Sequence, residues 1–64
     1  MEIKCTCGNK GCTTRMEIYE SESYIDLIIK HDENGTEKRE TIGLDPNQIV
    51  YLIKQLKQAL SNLA

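Results

Sequence analysis

The chain contains no phenylalanine and no tryptophan, and three tyrosines are its only aromatic side chains in 64 residues. A core of stacked rings is therefore excluded. The large apolar side chains are Ile, Leu, Met and Tyr, which suit a small, mainly aliphatic core. Long apolar runs are missing as well: nothing approaches the roughly 18 residues of a membrane span, and the opening "MEIKCTCG" lacks the charged-then-apolar order of a signal peptide. A cytoplasmic protein with no membrane partner is the expectation. Excess positive charge is absent too. Eight basic residues against ten acidic give a net charge of −2, which argues against a general electrostatic grip on nucleic acid. No linker, repeat or low-complexity tract divides the chain, so residues 1–64 read as one domain. A domain this short buries only about 60% of the surface its unfolded chain exposes. Such domains lean on a metal, a disulfide or a partner subunit, and each has to be sought among the residues present.

The last third carries the clearest local signal. In "LDPNQIVYLIKQLKQALSNL" Asp45 suits the N-cap, Pro46 the first helical position, and Gln48 completes a reciprocal capping pair with Asp45. Ile49, Leu52, Ile53, Leu56, Ala59, Leu60 and Leu63 recur at three- and four-residue intervals, predicting an amphipathic helix over about 46–63. Upstream the apolar period falls to two. "ENGT" places Asn34 and Gly35 where a type I′ hairpin turn needs positive φ. Ser21 and Glu22 close a second turn that lacks a favoured glycine, and "CGNKGC" suits a four-residue loop. The strands fall at about 2–7, 12–20, 23–32 and 36–43. The fold class is α+β, a four-stranded antiparallel meander in β-β-β-β-α order with one face covered by the C-terminal helix.

With these turns setting the register, Ile18 opposes Ile25, Met16 opposes Leu27, and Ile3 pairs with Met16 on one apolar face. The other face carries Tyr19 against Tyr24, Lys4 against Arg15, Arg15 against Ile28, Lys30 against Arg39, and the like charges Glu17 and Asp26. The same register pairs Cys7 with Cys12 and Cys12 with His31, with Cys5 two residues along. Cross-strand neighbours at about 4.5–5.5 Å would let these four side chains reach one ion. Three thiolates and an imidazole form a tetrahedral structural zinc set. Against it, C-x-C-x4-C is not a usual paired knuckle, and free cysteines often serve as small buried hydrophobes. Reduced core cysteines with no cofactor lead, structural zinc at Cys5, Cys7, Cys12 and His31 follows, and a Cys7 to Cys12 disulfide is third.

Nothing identifies an enzyme. A cysteine nucleophile with His31 as base has no evident substrate cleft, and Gly8 and Gly11 sit in a hairpin rather than before a phosphate-binding helix. Binding remains. Lys4, Arg15, Lys30 and Arg39 beside Tyr19 and Tyr24 combine charge with stacking rings, as a single-stranded nucleic-acid site requires, although Glu2, Glu17 and Asp26 share that face. The element order is similar to that of a family of small single-strand-binding proteins that work as dimers. Val50 and Tyr51 lie towards the outside of the helix, where a homodimer or another protein would bury them. The expectation is a non-enzymatic binding or regulatory module acting through protein contacts, an inhibitor or adaptor, and a homodimer. A single-stranded nucleic-acid binder and a zinc-stabilised interaction domain are the alternatives.

Overall fold

A type I′ turn requires two consecutive residues with positive φ, and Asn34 (φ 52°) and Gly35 (φ 79°) supply them. They join β3 (Ile25–Glu33) to β4 (Thr36–Leu44), in register from Glu33 opposite Thr36 to Ile25 opposite Leu44. The structure is a computed structural model that describes residues 1–63. Before this hairpin come β1 (Glu2–Lys4) and β2 (Arg15–Glu20), and after it α1 (Pro46–Leu63). All four strands form one antiparallel sheet in the order β1-β2-β3-β4, the α+β meander expected from the sequence.

β1 and β2 are shorter than the expected spans 2–7 and 12–20, for a reason visible at their junction. Cys5 still donates its N–H to the Thr14 carbonyl at 3.0 Å, but pairing stops there. On the other side of β2, the Thr13 hydroxyl accepts the N–H of Asp32 at 2.7 Å. A side chain thus takes the place of a main-chain partner and ends the β2–β3 ladder.

The β2–β3 register differs from the expected one by two residues. Its turn centres on Glu22 and Ser23, not Ser21 and Glu22, with the Ser21 N–H on the Tyr24 carbonyl at 2.9 Å and the Ser21 hydroxyl on the same oxygen at 3.2 Å. Ile18 therefore opposes Leu27, Met16 opposes Ile29, Tyr19 opposes Asp26 rather than Tyr24, Glu17 opposes Ile28, and Arg15 opposes Lys30. Side chains alternate with a period of two, so an even slip keeps every residue on its expected face.

Asp45 and Gln48 cap the helix reciprocally: the Gln48 N–H donates to Asp45 Oδ1 at 2.8 Å and the Asp45 N–H to Gln48 Oε1 at 3.2 Å. This cap follows β4 directly, so Asp45 alone separates strand from helix. The helix packs chiefly on β4, and only Ile49 and Leu52 of its apolar residues are half-buried. Exposure then climbs along the apolar stripe, from 60% at Leu56 to 69% at Leu60 and 83% at Leu63. The expected cover of the sheet by its own helix is therefore slight. Ile3, Ile29 and Ile42 on the apolar sheet face stay exposed, and no apolar side chain is fully buried among the described residues.

Candidate functional site

The loop between β1 and β2 is held at two points. The Cys5 N–H bond to Thr14 fixes its base, and the Cys12 N–H donates to the Asn9 carbonyl at 3.2 Å across an Asn9–Cys12 turn. Gly11 occupies the third position of that turn with φ 79°, the conformation a type II turn demands and a side chain resists. Thus anchored, the loop brings Cys5, Cys7 and Cys12 together, with their sulfurs all within 4.8 Å of one another. Three such sulfurs could hold a metal ion. All three thiols are free and exposed, which corrects their reading as small core side chains.

The cluster is polarised internally. The Cys12 thiol is lowered to about 7, first by a hydrogen bond from the Thr14 backbone, then by the Cys7 thiol and the Thr14 hydroxyl. At Cys5 the largest single influence, the Cys7 backbone N–H, favours the thiolate. Hydrogen bonds with the Cys7 and Cys12 side chains outweigh it, and the Cys5 pKa is raised. Beside the cluster lies a cavity of about 320 Å³, which Cys5 and Cys12 share with Lys4, Arg15 and Asp32.

His31 does not join the cysteines. Its Nε2 lies 3.6 Å from a Glu33 carboxylate oxygen, and it faces Lys38 across the β3–β4 pair. The two-residue register slip explains this, because the line of β2 through Cys12 now runs towards Glu33 instead of His31. Among the described residues no histidine or carboxylate completes the thiol cluster.

On the polar face the register aligns Lys4, Arg15, Lys30 and Arg39 in one row across the four strands. Like charges directly opposite one another repel, so the row needs counter-charges. Lys30 Nζ reaches Glu17 at 2.5 Å, and Arg39 meets Glu37 at 2.5 Å. Arg15 spans Glu37 at 2.7 Å and Asp32 at 3.4 Å. The Tyr19 hydroxyl donates to the other oxygen of Glu17. Lys30, 8% exposed, is the one buried residue among those described, its alkyl stem lying in the sheet surface while its ammonium meets Glu17. Lys30 and Tyr19 hold the Glu17 carboxyl below its ordinary value, and Arg39 does the same to Glu37.

Tyr24 belongs to the β2–β3 turn, diagonal to Tyr19 and not opposite it, and is exposed; Val50 and Tyr51 are exposed on the helix. Sequence reasoning overlooked Asp32 and Glu37, which neutralise the basic row, and Thr14, which donates to Cys12. Their signals were faint. Asp32 and Glu37 flank the Asn34–Gly35 turn as a facing pair of like charges, a pattern that calls for a cation between them. No family model matches the chain, and no curated protein or solved structure matches it either.

Proposed function

We propose that the protein is a non-enzymatic interaction module that works as a homodimer, in which the helix of each subunit lies on the apolar sheet face of the other. The supporting observation is the open apolar side. The chain exposes 5600 Å², where a compact chain of 7.3 kDa exposes roughly 4,200 Å². The excess of roughly 1,400 Å² surpasses the roughly 800 Å² that each partner contributes to a standard interface. The radius of gyration agrees, at 13.9 Å against roughly 11 Å for a compact domain of this length.

The hinge favours a second copy over closure within one chain. One residue joins β4 to a capped helix, and Pro46 restricts the backbone at the helix start. Short hinges of this kind promote exchange of an element between identical chains. The same apolar surface on both chains gives a self-complementary, two-fold interface. The polar sheet face then looks outward from both subunits and offers the surface an inhibitor or adaptor would present to another protein. For nucleic acid that face has less to offer, since Arg15, Lys30 and Arg39 already have carboxylate partners.

Sedimentation equilibrium tests the assembly: the wild type is expected at twice the chain mass, and Leu56→Glu, which places a charge in the apolar interface, at the chain mass. A wild type that stays monomeric at every concentration would overturn it. A second reading, a zinc-stabilised form of the same module, is favoured by the cysteine cluster, which would give a small domain cohesion its core lacks.

A further inference from the structure

We propose that Cys5, Cys7 and Cys12 form, without His31, a three-thiolate site for one thiophilic d10 cation per chain, zinc(II) or copper(I). The inference takes from the zinc-stabilised reading the idea that a metal binds here, and goes beyond it in fixing the ligands, the stoichiometry and the class of ion. It is independent of subunit pairing, because all three ligands come from a single loop of one chain.

The geometry carries the argument. An ion about 2.3 Å from each of three tetrahedrally placed sulfurs would hold them about 3.8 Å apart. The cysteine sulfurs already lie within 4.8 Å of each other, so side-chain rotation about exposed bonds closes the remainder. The backbone needs no rearrangement, since it is tied from Cys5 to Thr14 and from Asn9 to Cys12. Three thiolates around zinc(II) leave one negative charge, and Lys4 lines the cavity that Cys5 and Cys12 share with the Arg15–Asp32 pair.

An all-sulfur set selects soft ions over magnesium or calcium. On binding, each thiol gives its proton to solvent as its sulfur takes the cation, and no atom changes oxidation state. Copper(I) is satisfied by three sulfurs. Zinc(II) would take its fourth ligand from water or a small solute, because no further protein donor joins the cluster among the described residues.

The test is a titration of reduced, metal-free protein with zinc(II) and, separately, copper(I), each against a chromophoric chelator, with cobalt(II) absorption reporting sulfur ligation. One equivalent of either ion per chain is expected, and whichever binds more tightly identifies the cation. Cys7→Ser and Cys12→Ser should weaken binding by more than the roughly 100-fold that loss of a ligand's own hydrogen-bond partner costs. His31→Ala should leave affinity and spectrum unchanged. As a check that does not depend on folding of the variants, the bound ion should protect all three wild-type thiols from alkylation. Leu56→Glu should bind the ion as the wild type does, which separates this inference from the dimer. Retention of neither ion, one ion per two chains, loss of binding in His31→Ala, or metal-bound protein with a thiol still freely alkylated would each overturn the proposal.

Discussion

Cys12 and Cys5 each have one backbone hydrogen bond favouring the thiolate, but the neighbouring side chains lower Cys12 and raise Cys5, and their chemistry should differ accordingly. With Cys12 lowered to about 7 and Cys5 raised, the metal-free protein at neutral pH holds far more thiolate at Cys12. Since the thiolate is the nucleophile, limited iodoacetamide treatment followed by peptide mapping should find Cys12 modified first. Equal rates at the two positions would mean that the Thr14 hydrogen bond is not formed in solution. Glu17 and Glu37 give a second residue-level expectation. Both carboxyls are lowered by folding, so their contribution is fully present above the ordinary value of 4.5 and is lost as the pH falls through the folded value. The thermal midpoint should therefore decline below about pH 4.5, and decline less steeply in Glu17→Gln. A Glu17→Gln profile parallel to that of the wild type would remove the Lys30 pair from the account.

At the scale of elements, legibility followed the strength of the local stereochemical signal. Asn34 and Gly35 have few alternatives to a type I′ turn, so β3 and β4 pair as the sequence indicates; Asp45, Pro46 and Gln48 likewise mark the helix start to the residue. Ser21, Glu22 and Ser23 carry no such preference, and the turn settled one position further along. The error left the faces intact because it was even, yet it moved His31 out of reach of Cys12 and set Arg15 opposite Lys30. Cys5, Cys7 and Cys12 still converge, because the turn that gathers them depends on Gly11 and the Asn9–Cys12 hydrogen bond and not on the β2–β3 register. Shortening of β1 and β2 was not legible, since a threonine hydroxyl capturing a strand N–H leaves no periodic trace. Gly35→Ala tests the best-defined turn. An L side chain at φ 79° costs about 1–2 kcal/mol, which urea unfolding should register. No loss of stability would mean that the hairpin tolerates another turn.

For the whole molecule, the decisive property is what a sequence read one chain at a time does not reveal. Ile53, Leu56, Leu60 and Leu63 announce an apolar stripe, and periodicity says that it will be covered without saying by which chain. The structure, measuring 37 × 35 × 15 Å, spreads sheet and helix into a flat body in which, among the described residues, the only buried side chain is a lysine. Among the described residues no helix is long and apolar enough to cross a membrane. In the proposed homodimer, a second chain related by two-fold symmetry would supply the missing layer to both sheets at once. The most direct test is isotope-filtered NMR on an equimolar mixture of methyl-labelled and unlabelled chains. Contacts between the Leu56 and Leu60 methyls of one chain and the Leu27 and Ile42 methyls of the other are expected. If those helix methyls instead touch only the sheet of their own chain, or no sheet at all, helix exchange is contradicted.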